Sequence, residues 1–356
     1  MTNNPKGPIL FIGNFFKSPN TNQNVWFELP IRMEKIGWDV ITSSPKTAKA
    51  FRLLDMLCTI FINRKTYTVA QVDVFSGPAF IWAEMSAWLL KIINKPFILN
   101  LRGGNLPSFS TNYSRRVRRT LKLANVVTSP SAYLKEFLQE LCDNIKIIPN
   151  PIEIPSYKFR LRKLVEPKLV WVRAFHQIYN PSLAPKVLDK LAKKWPNIQL
   201  SMVGPDKGDG SLQNFRNLSE TLNMINHITL IGGVPRYQVP TILNQGDIFI
   251  NTTNFDNTPV SVIEAMACGL CIVSTNVGGI PYLLADEVNA LLVPPDDPQA
   301  MAEAIERIIL NPDLAARLSL NARKKAESFD WSIVLPQWDH LFNEILDSSY
   351  NSEIHP

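Results

Sequence analysis

The sequence predicts an α/β protein made of two doubly wound, Rossmann-like domains facing across a cleft. Three observations lead there. Short apolar runs rich in Val and Ile alternate with longer amphipathic stretches along the chain. That rhythm occurs twice, with a break at NPIEIPSYKFRLRKLVEPK (150–168), where Pro and basic residues interrupt it. The length of 356 residues suits two domains at roughly 150 residues each.

In the first half the strand candidates are ILFIG (9–13), WDVIT (38–42), VDVFSG (72–77), FILNLR (97–102), NVVTS (125–129) and IKIIPN (145–150). Each is short and ends near Gly, Ser, Asn or Pro, as parallel strands buried on both faces do. Helix-length segments separate them. VWFELPIRMEKIG ends on Gly37, a suitable C′ residue, and SAYLKEFLQEL has Ser131 as its N-cap. The second series is KLVWVR (168–173), IQLSMVG (198–204), ITLIGG (228–233), DIFINT (247–252), CIVST (271–275) and ALLVP (290–294). LAPKVLDKLAKKW and similar helical patterns lie between these strands. Strand–helix alternation in both halves implies parallel sheets covered on both faces. The expected domains are 1–155 and 156–334. A tail helix over about 335–350 carries Trp338, Leu341, Phe342, Ile345 and Leu346 on one face, and is expected to pack back on the first domain.

Composition excludes several classes. Apolar residues at 46% and charged residues at 19% do not describe a disordered chain. Four cysteines are too few for a disulfide scaffold. The first residues, MTNNPKGPILFIGNFF, lack the form of a signal peptide, so a soluble cytoplasmic protein with reduced thiols is expected. A net charge of +6 permits anionic partners such as nucleotides or a membrane surface, and no nucleic-acid motif accompanies it.

The stretch NTTNFDNTPVSVIEAMACGLCIVSTNVGGIP (251–281) is the most informative. A strand ends, Thr258 offers an N-cap, Pro259 suits the first helical position, and Gly269 ends a predicted helix over 259–268. The helix is apolar apart from Ser261 and Glu264, three apart on one face. A buried carboxylate needs a hydrogen-bond donor, either the hydroxyls of a ligand such as a ribose or a neighbouring Arg or Lys. The helix start, with free amides and a positive dipole end, suits a phosphate. Asp256 stands just ahead of it.

This run, Asp256-X7-Glu264-AMACG, resembles the C-terminal signature of retaining glycosyltransferases of the GT-B fold, family 4. The likeness continues through NVGGIP, NALLVPPDDPQAMAEAI and ARKKAESFDWSIV; HITLIGGV and MVGPDKGDG resemble the family's base-bordering turn and its V-G-x-G loop. It covers the second half specifically and the first half mainly as architecture. The resemblance implies an N-terminal acceptor domain and a C-terminal nucleotide-sugar donor domain. It implies transfer of a sugar to a hydroxyl acceptor, a glycan or lipid-linked glycan, with retained anomeric configuration. By resemblance, Glu264 holds the ribose, the amides around Pro259 and Val260 meet the diphosphate, and Asp256, Asn257 and Thr258 hold the sugar. Arg173 corresponds to the diphosphate-binding arginine, which makes Asp256 and Arg173 the catalytic pair. Gly204, Gly233 and Val234 complete the donor site.

Three departures stand out. The leading acid is Asp256 where the family usually has Glu. The lysine expected a few residues after Arg173 is missing, with His176, Lys207 or Arg102 as candidate substitutes. The first loop is only GNFFKSPNTNQN, beginning at Gly13 and Asn14, and Arg102-Gly103-Gly104 is a candidate phosphate or acceptor loop as much as a simple turn. Two further readings stay open: a nucleotide-sugar epimerase on the same fold, and a catalytically inactive protein that binds nucleotide-sugar without turnover.

Other signals are weaker. Cys268-Gly-Leu-Cys271 straddles a helix end and a strand, and reads as buried thiols. No D-x-D and no histidine cluster occurs, so neither a cofactor nor a metal is expected. YSRRVRRTLKLA (113–124) is a basic helix whose bland reading is a solvated face, its alternative an anionic membrane contact. FRLLDMLCTIFIN (51–63) is broadly apolar, suited to core packing or lipid contact.

Overall fold

The computed structural model describes residues 6–13, 15, 25–46, 48–102 and 104–354. The chain divides into two compact units. Unit 1 comprises the described residues up to Asn150 and from Ser332 onward, and unit 2 runs from Pro151 to Trp331.

Unit 1 contains β1 (Lys6–Ile12), α1 (Val25–Lys35), β2 (Trp38–Ser43), α2 (Lys49–Ile62), β3 (Val69–Val74), α3 (Phe80–Ile92), β4 (Phe97–Leu101), α4 (Leu106–Asn112), α5 (Ser114–Leu121), β5 (Val126–Ser129), α6 (Ala132–Leu138) and β6 (Ile145–Ile147). Its sheet has the order β2-β1-β3-β4-β5-β6, all parallel. Alternation along β1 divides its side chains between two cores. Leu10 and Ile12 join the core under α2 and α3, while Phe11 meets Phe342 edge-on at 5.9 Å. Phe342 belongs to the last helix, α14 (Trp331–Ile354), introduced here ahead of unit 2. Trp38 packs on the same ring at 5.8 Å, and its indole N–H donates to Asp339 at 2.7 Å. β3 starts at Val69, three residues before the expected strand 72–77. Gln71 interrupts the apolar run, yet its backbone pairs with Phe11 and its side chain is buried.

Unit 2 contains β7 (Lys168–Val172), α7 (Leu183–Ala192), β8 (Gln199–Val203), α8 (Ser211–Thr221), β9 (Ile228–Gly232), α9 (Val239–Leu243), β10 (Ile248–Asn251), α10 (Val260–Ala267), β11 (Cys271–Thr275), α11 (Ile280–Leu283), β12 (Leu291–Val293), α12 (Pro298–Leu310) and α13 (Pro312–Glu327). Its parallel sheet has the order β12-β11-β10-β7-β8-β9. Leu169, Trp171, Ile248, Ile250 and Val273 face the core with α7 and α12; Val170, Phe249 and Ile272 face the core with α10. The Pro-rich and basic break belongs to this unit. Ile152, Ile154 and Tyr157 enter its second core, and the buried Arg162 guanidinium donates to the Gly246 carbonyl at 3.1 Å. Among the described residues no helix is long and apolar enough to cross a membrane.

Candidate active site

In an open parallel sheet, the place where neighbouring strands leave in opposite directions opens a crevice at their carboxyl ends. In unit 2 that place lies between β7 and β10, since β8 and β9 extend to one side and β11 and β12 to the other. Arg173 follows β7, and Asp256 stands in the loop after β10. Their side chains form an ion pair, and both are largely buried. The guanidinium lies over the Tyr179 ring, 4.4 Å from its centroid. Burial lowers the Arg173 pKa, and the charges of Tyr179 and Glu264 oppose that shift. Its Nε is buried with no hydrogen-bond acceptor.

Threonines lace the two loops together. Thr252 donates to the Tyr179 carbonyl at 2.7 Å, Thr253 to the Ile178 carbonyl at 3.1 Å, and Thr275 to the Thr253 carbonyl at 2.6 Å. Two close backbone approaches then need glycine. A Cβ on Gly204 would sit 1.6 Å from the Arg173 carbonyl oxygen, so β8 exits directly against the Arg173 backbone. A Cβ on Gly279 would sit 2.0 Å from the Asn257 carbonyl oxygen, and the Gly279 amide donates to the Asp256 carbonyl at 2.9 Å.

The helix α10 begins one residue later than the sequence suggests. Pro259 takes an extended conformation and occupies the N-cap position; Thr258 does not cap. Val262 and Ile263 make the first bonds, to the Pro259 carbonyl, so the amides of Val260 and Ser261 precede the ladder. Asn257 is buried, and its backbone N–H donates to the Asp256 carboxylate Oδ1 at 2.9 Å. Gly269 closes the helix, its amide bonding to the Met266 carbonyl at 2.9 Å.

Glu264 is buried on α10 and has protein partners. The Tyr157 hydroxyl donates to its Oε1 at 2.8 Å, and Arg236 Nε lies 3.6 Å from the same oxygen. Burial raises the Glu264 pKa, and Arg236 and Tyr157 pull it back down. Burial, reinforced by the Glu264 charge, pushes the Tyr157 phenol well above its ordinary range.

The remaining candidates fall into three groups. Gly233 is exposed after β9, and Val234 packs on the α10 core. His176 caps a turn, its Nδ1 accepting from the Ile178 amide at 3.2 Å, while its Nε2 lies 3.7 Å from Asp209. The Lys207 side chain is exposed. The others belong to unit 1, where Gly13 follows β1 at the switch point between β1 and β3, and Arg102 and Gly104 follow the next strand, β4. Arg102 does not stand free for a ligand's charge: its Nε donates to Asp73 at 2.9 Å and both side chains are buried, with burial lowering its pKa to about 10. A Cβ on Gly13 would come within 2.6 Å of the same Asp73 carboxylate. Gly104 is half-buried in the turn before α4, while Asn14 and Gly103 lie outside the described residues. Cys268 and Cys271 are free, buried thiols whose pKa values burial raises to about 12. Among the described residues no group of three or more His, Cys, Asp or Glu side chains could hold a metal ion.

Sequence reasoning missed Tyr157, Arg236, Tyr179 and Asp73. Arg236 carries a faint signal, as it directly follows the ITLIGGVP run. Tyr157 carries none, lying in the irregular stretch between the two repeats.

Residues 155–325 match the family model "Glycosyl transferases group 1", so unit 2 carries a domain of that kind. Over 209 residues the chain is 29% identical to one component of the phosphatidylinositol N-acetylglucosaminyltransferase of Arabidopsis thaliana, a match covering 58% of this chain and 45% of that protein. It is 30% identical over 175 residues to D-inositol 3-phosphate glycosyltransferase of Saccharomonospora viridis, covering 45% of this chain and 39% of that protein. The matched region thus spans less than half the length of either relative. Among solved structures, sucrose-phosphate synthase from Thermosynechococcus elongatus superposes with a TM-score of 0.80 at 17% identity, over 96% of this chain and all of that one. Anabaena HepE in complex with UDP and glucose gives 0.76 at 16% identity, over 95% of this chain and all of that one. At such identities the likeness establishes the fold, two Rossmann-like domains of the GT-B type.

Proposed function

We propose, from the group 1 domain formed by residues 155–325, that the chain is a retaining glycosyltransferase of the family 4 kind. It would take a sugar from a nucleoside-diphosphate donor and pass it to a hydroxyl of a glycan or lipid-linked glycan. The observation that most supports this is the edge where Arg173, Asp256 and the open amides of α10 come together. When the bond between the anomeric carbon and the diphosphate oxygen breaks, negative charge grows on the leaving group and positive character on the sugar. Arg173, with its unengaged Nε–H, and the Val260 and Ser261 amides offset the first charge. The Asp256 carboxylate offsets the second. Glu264, oriented by Tyr157 and Arg236, is left to hold the ribose hydroxyls through its second oxygen.

The test is turnover with a panel of nucleotide-sugars, with and without acceptor. Sugar transfer to an added hydroxyl acceptor, giving the donor's anomeric configuration in the product, is the expected result. An isomerised donor formed without acceptor would replace transfer with epimerisation. Nucleotide binding without turnover on any acceptor would leave only a binding role.

A further inference from the structure

The helices α2, α3 and α5 form one layer of unit 1. Each belongs to a crossover between parallel strands in the order β2-β1-β3-β4-β5, and α3 packs against both α2 and α5. On α2 and α3 the outer face of this layer carries apolar side chains where solvent-facing helices are ordinarily polar. Met56 and Ile60 of α2 enter the core, while Phe51, Leu54, Cys58, Phe61 and Ile62 stand exposed on the opposite side, Phe51 by 67% and Ile62 by 72%. At 3.6 residues per turn these five positions fall within an arc of about 100°. α3 adds Trp88, 56% exposed, and Ile92 one turn later.

Charge on the same layer has one sign outside. Lys65, Lys91, Arg115, Arg118, Arg119 and Lys122 are exposed in or just after these helices. The two carboxylates of the layer are engaged: Ser43 donates to Asp55 at 3.5 Å, and Arg116 Nε pairs with Glu84 at 2.9 Å. The Arg116–Glu84 pair also holds the basic helix against the helix that carries Trp88.

We propose that this layer docks unit 1 on a membrane surface rich in anionic lipid. The α2–α3 stripe enters the headgroup boundary, and the surrounding Lys and Arg meet lipid phosphates. A second copy of the chain fits less well, because a two-fold contact through this patch sets the same cations against one another. Docking of this kind rests on unit 1 and does not depend on the donor chemistry assigned to unit 2.

The test uses the whole chain sedimented with phosphatidylcholine vesicles and with phosphatidylcholine–phosphatidylglycerol vesicles. Binding to the mixed vesicles that weakens with added salt is expected, with little binding to phosphatidylcholine alone. Removing two cations, Arg118→Gln with Arg119→Gln, should weaken it roughly tenfold or more. Phe61→Glu with Ile62→Glu should abolish it, with helical circular dichroism and nucleotide binding unchanged, since all four positions are at the surface. Equal pelleting with and without vesicles, or binding indifferent to both double variants, overturns the proposal. So does a dimer that Ile62→Glu dissolves, combined with no affinity for either vesicle.

Discussion

The guanidinium of Arg173 and the carboxylate of Asp256 form an ion pair at the ends of β7 and β10, where unit 2's sheet changes direction. Their side chains are only 16% and 13% exposed, so each depends on the other for compensation of its charge. The pair also joins two residues with separate proposed roles, one on the diphosphate and one on the sugar.

Arg173→Ala is expected to weaken nucleoside diphosphate binding by tenfold or more and nucleoside binding far less. A guanidinium that meets phosphate oxygens contributes about 1.5–3 kcal/mol through charged hydrogen bonds, which the base and ribose do not share. Calorimetry with both ligands measures the difference. Equal losses would remove Arg173 from the diphosphate site.

Asp256→Asn is expected to cut kcat strongly and leave affinity for the free nucleoside diphosphate nearly intact. The amide keeps the size of the side chain and loses the charge proposed to act on the sugar. Asp256→Glu should retain part of the activity or change donor preference. Normal turnover of Asp256→Asn would refute the assignment.

Glu264→Gln should lower donor affinity about tenfold while the fold persists. The acid limb of binding offers a second check. Burial raises the Glu264 pKa above its ordinary 4.5. Donor binding that needs the carboxylate is therefore complete above this raised pKa and lost as pH falls through it, at a higher pH than for an exposed Glu. Tyr157→Phe removes a hydrogen bond that favours the charged form, so the limb should move further up in pH, and Glu264→Gln should erase it. A limb unmoved by Tyr157→Phe would detach Tyr157 from this role.

Gly204→Ala should impair folding or sharply reduce donor binding, because its Cβ meets the Arg173 carbonyl at 1.6 Å. Gly208→Ala, at a position where a Cβ meets nothing within 4 Å but φ is +73°, serves as the milder comparison. Thermal melting and nucleotide affinity for the two variants check it; a smaller effect at Gly204 than at Gly208 would contradict the packing argument.

Transfer is expected to survive a chelator. In the proposed site Arg173 and the α10 amides would supply positive charge to the leaving diphosphate from the protein itself. Activity lost with chelator and restored by magnesium or manganese would show otherwise.

By itself the sequence determined the two-domain parallel architecture, because a strand buried on both faces must be a continuous apolar run and a helix must repeat at 3.6 residues. ILFIG and DIFINT therefore announce β1 and β10, and the run from Pro259 to Gly269 announces α10. The start of β3 escaped because Gln71, polar yet buried, breaks that local pattern. Only the tertiary structure decided which charges meet. Arg102, open to a ligand as far as its neighbours in sequence tell, is claimed by Asp73 from the adjacent strand. Glu264 is oriented by Tyr157, 107 residues away, and Arg173 is paired with Asp256. These encounters depend on strand order and on how closely the loops at the carboxyl edges approach, and such non-local distances leave no periodicity along the chain for a sequence to display.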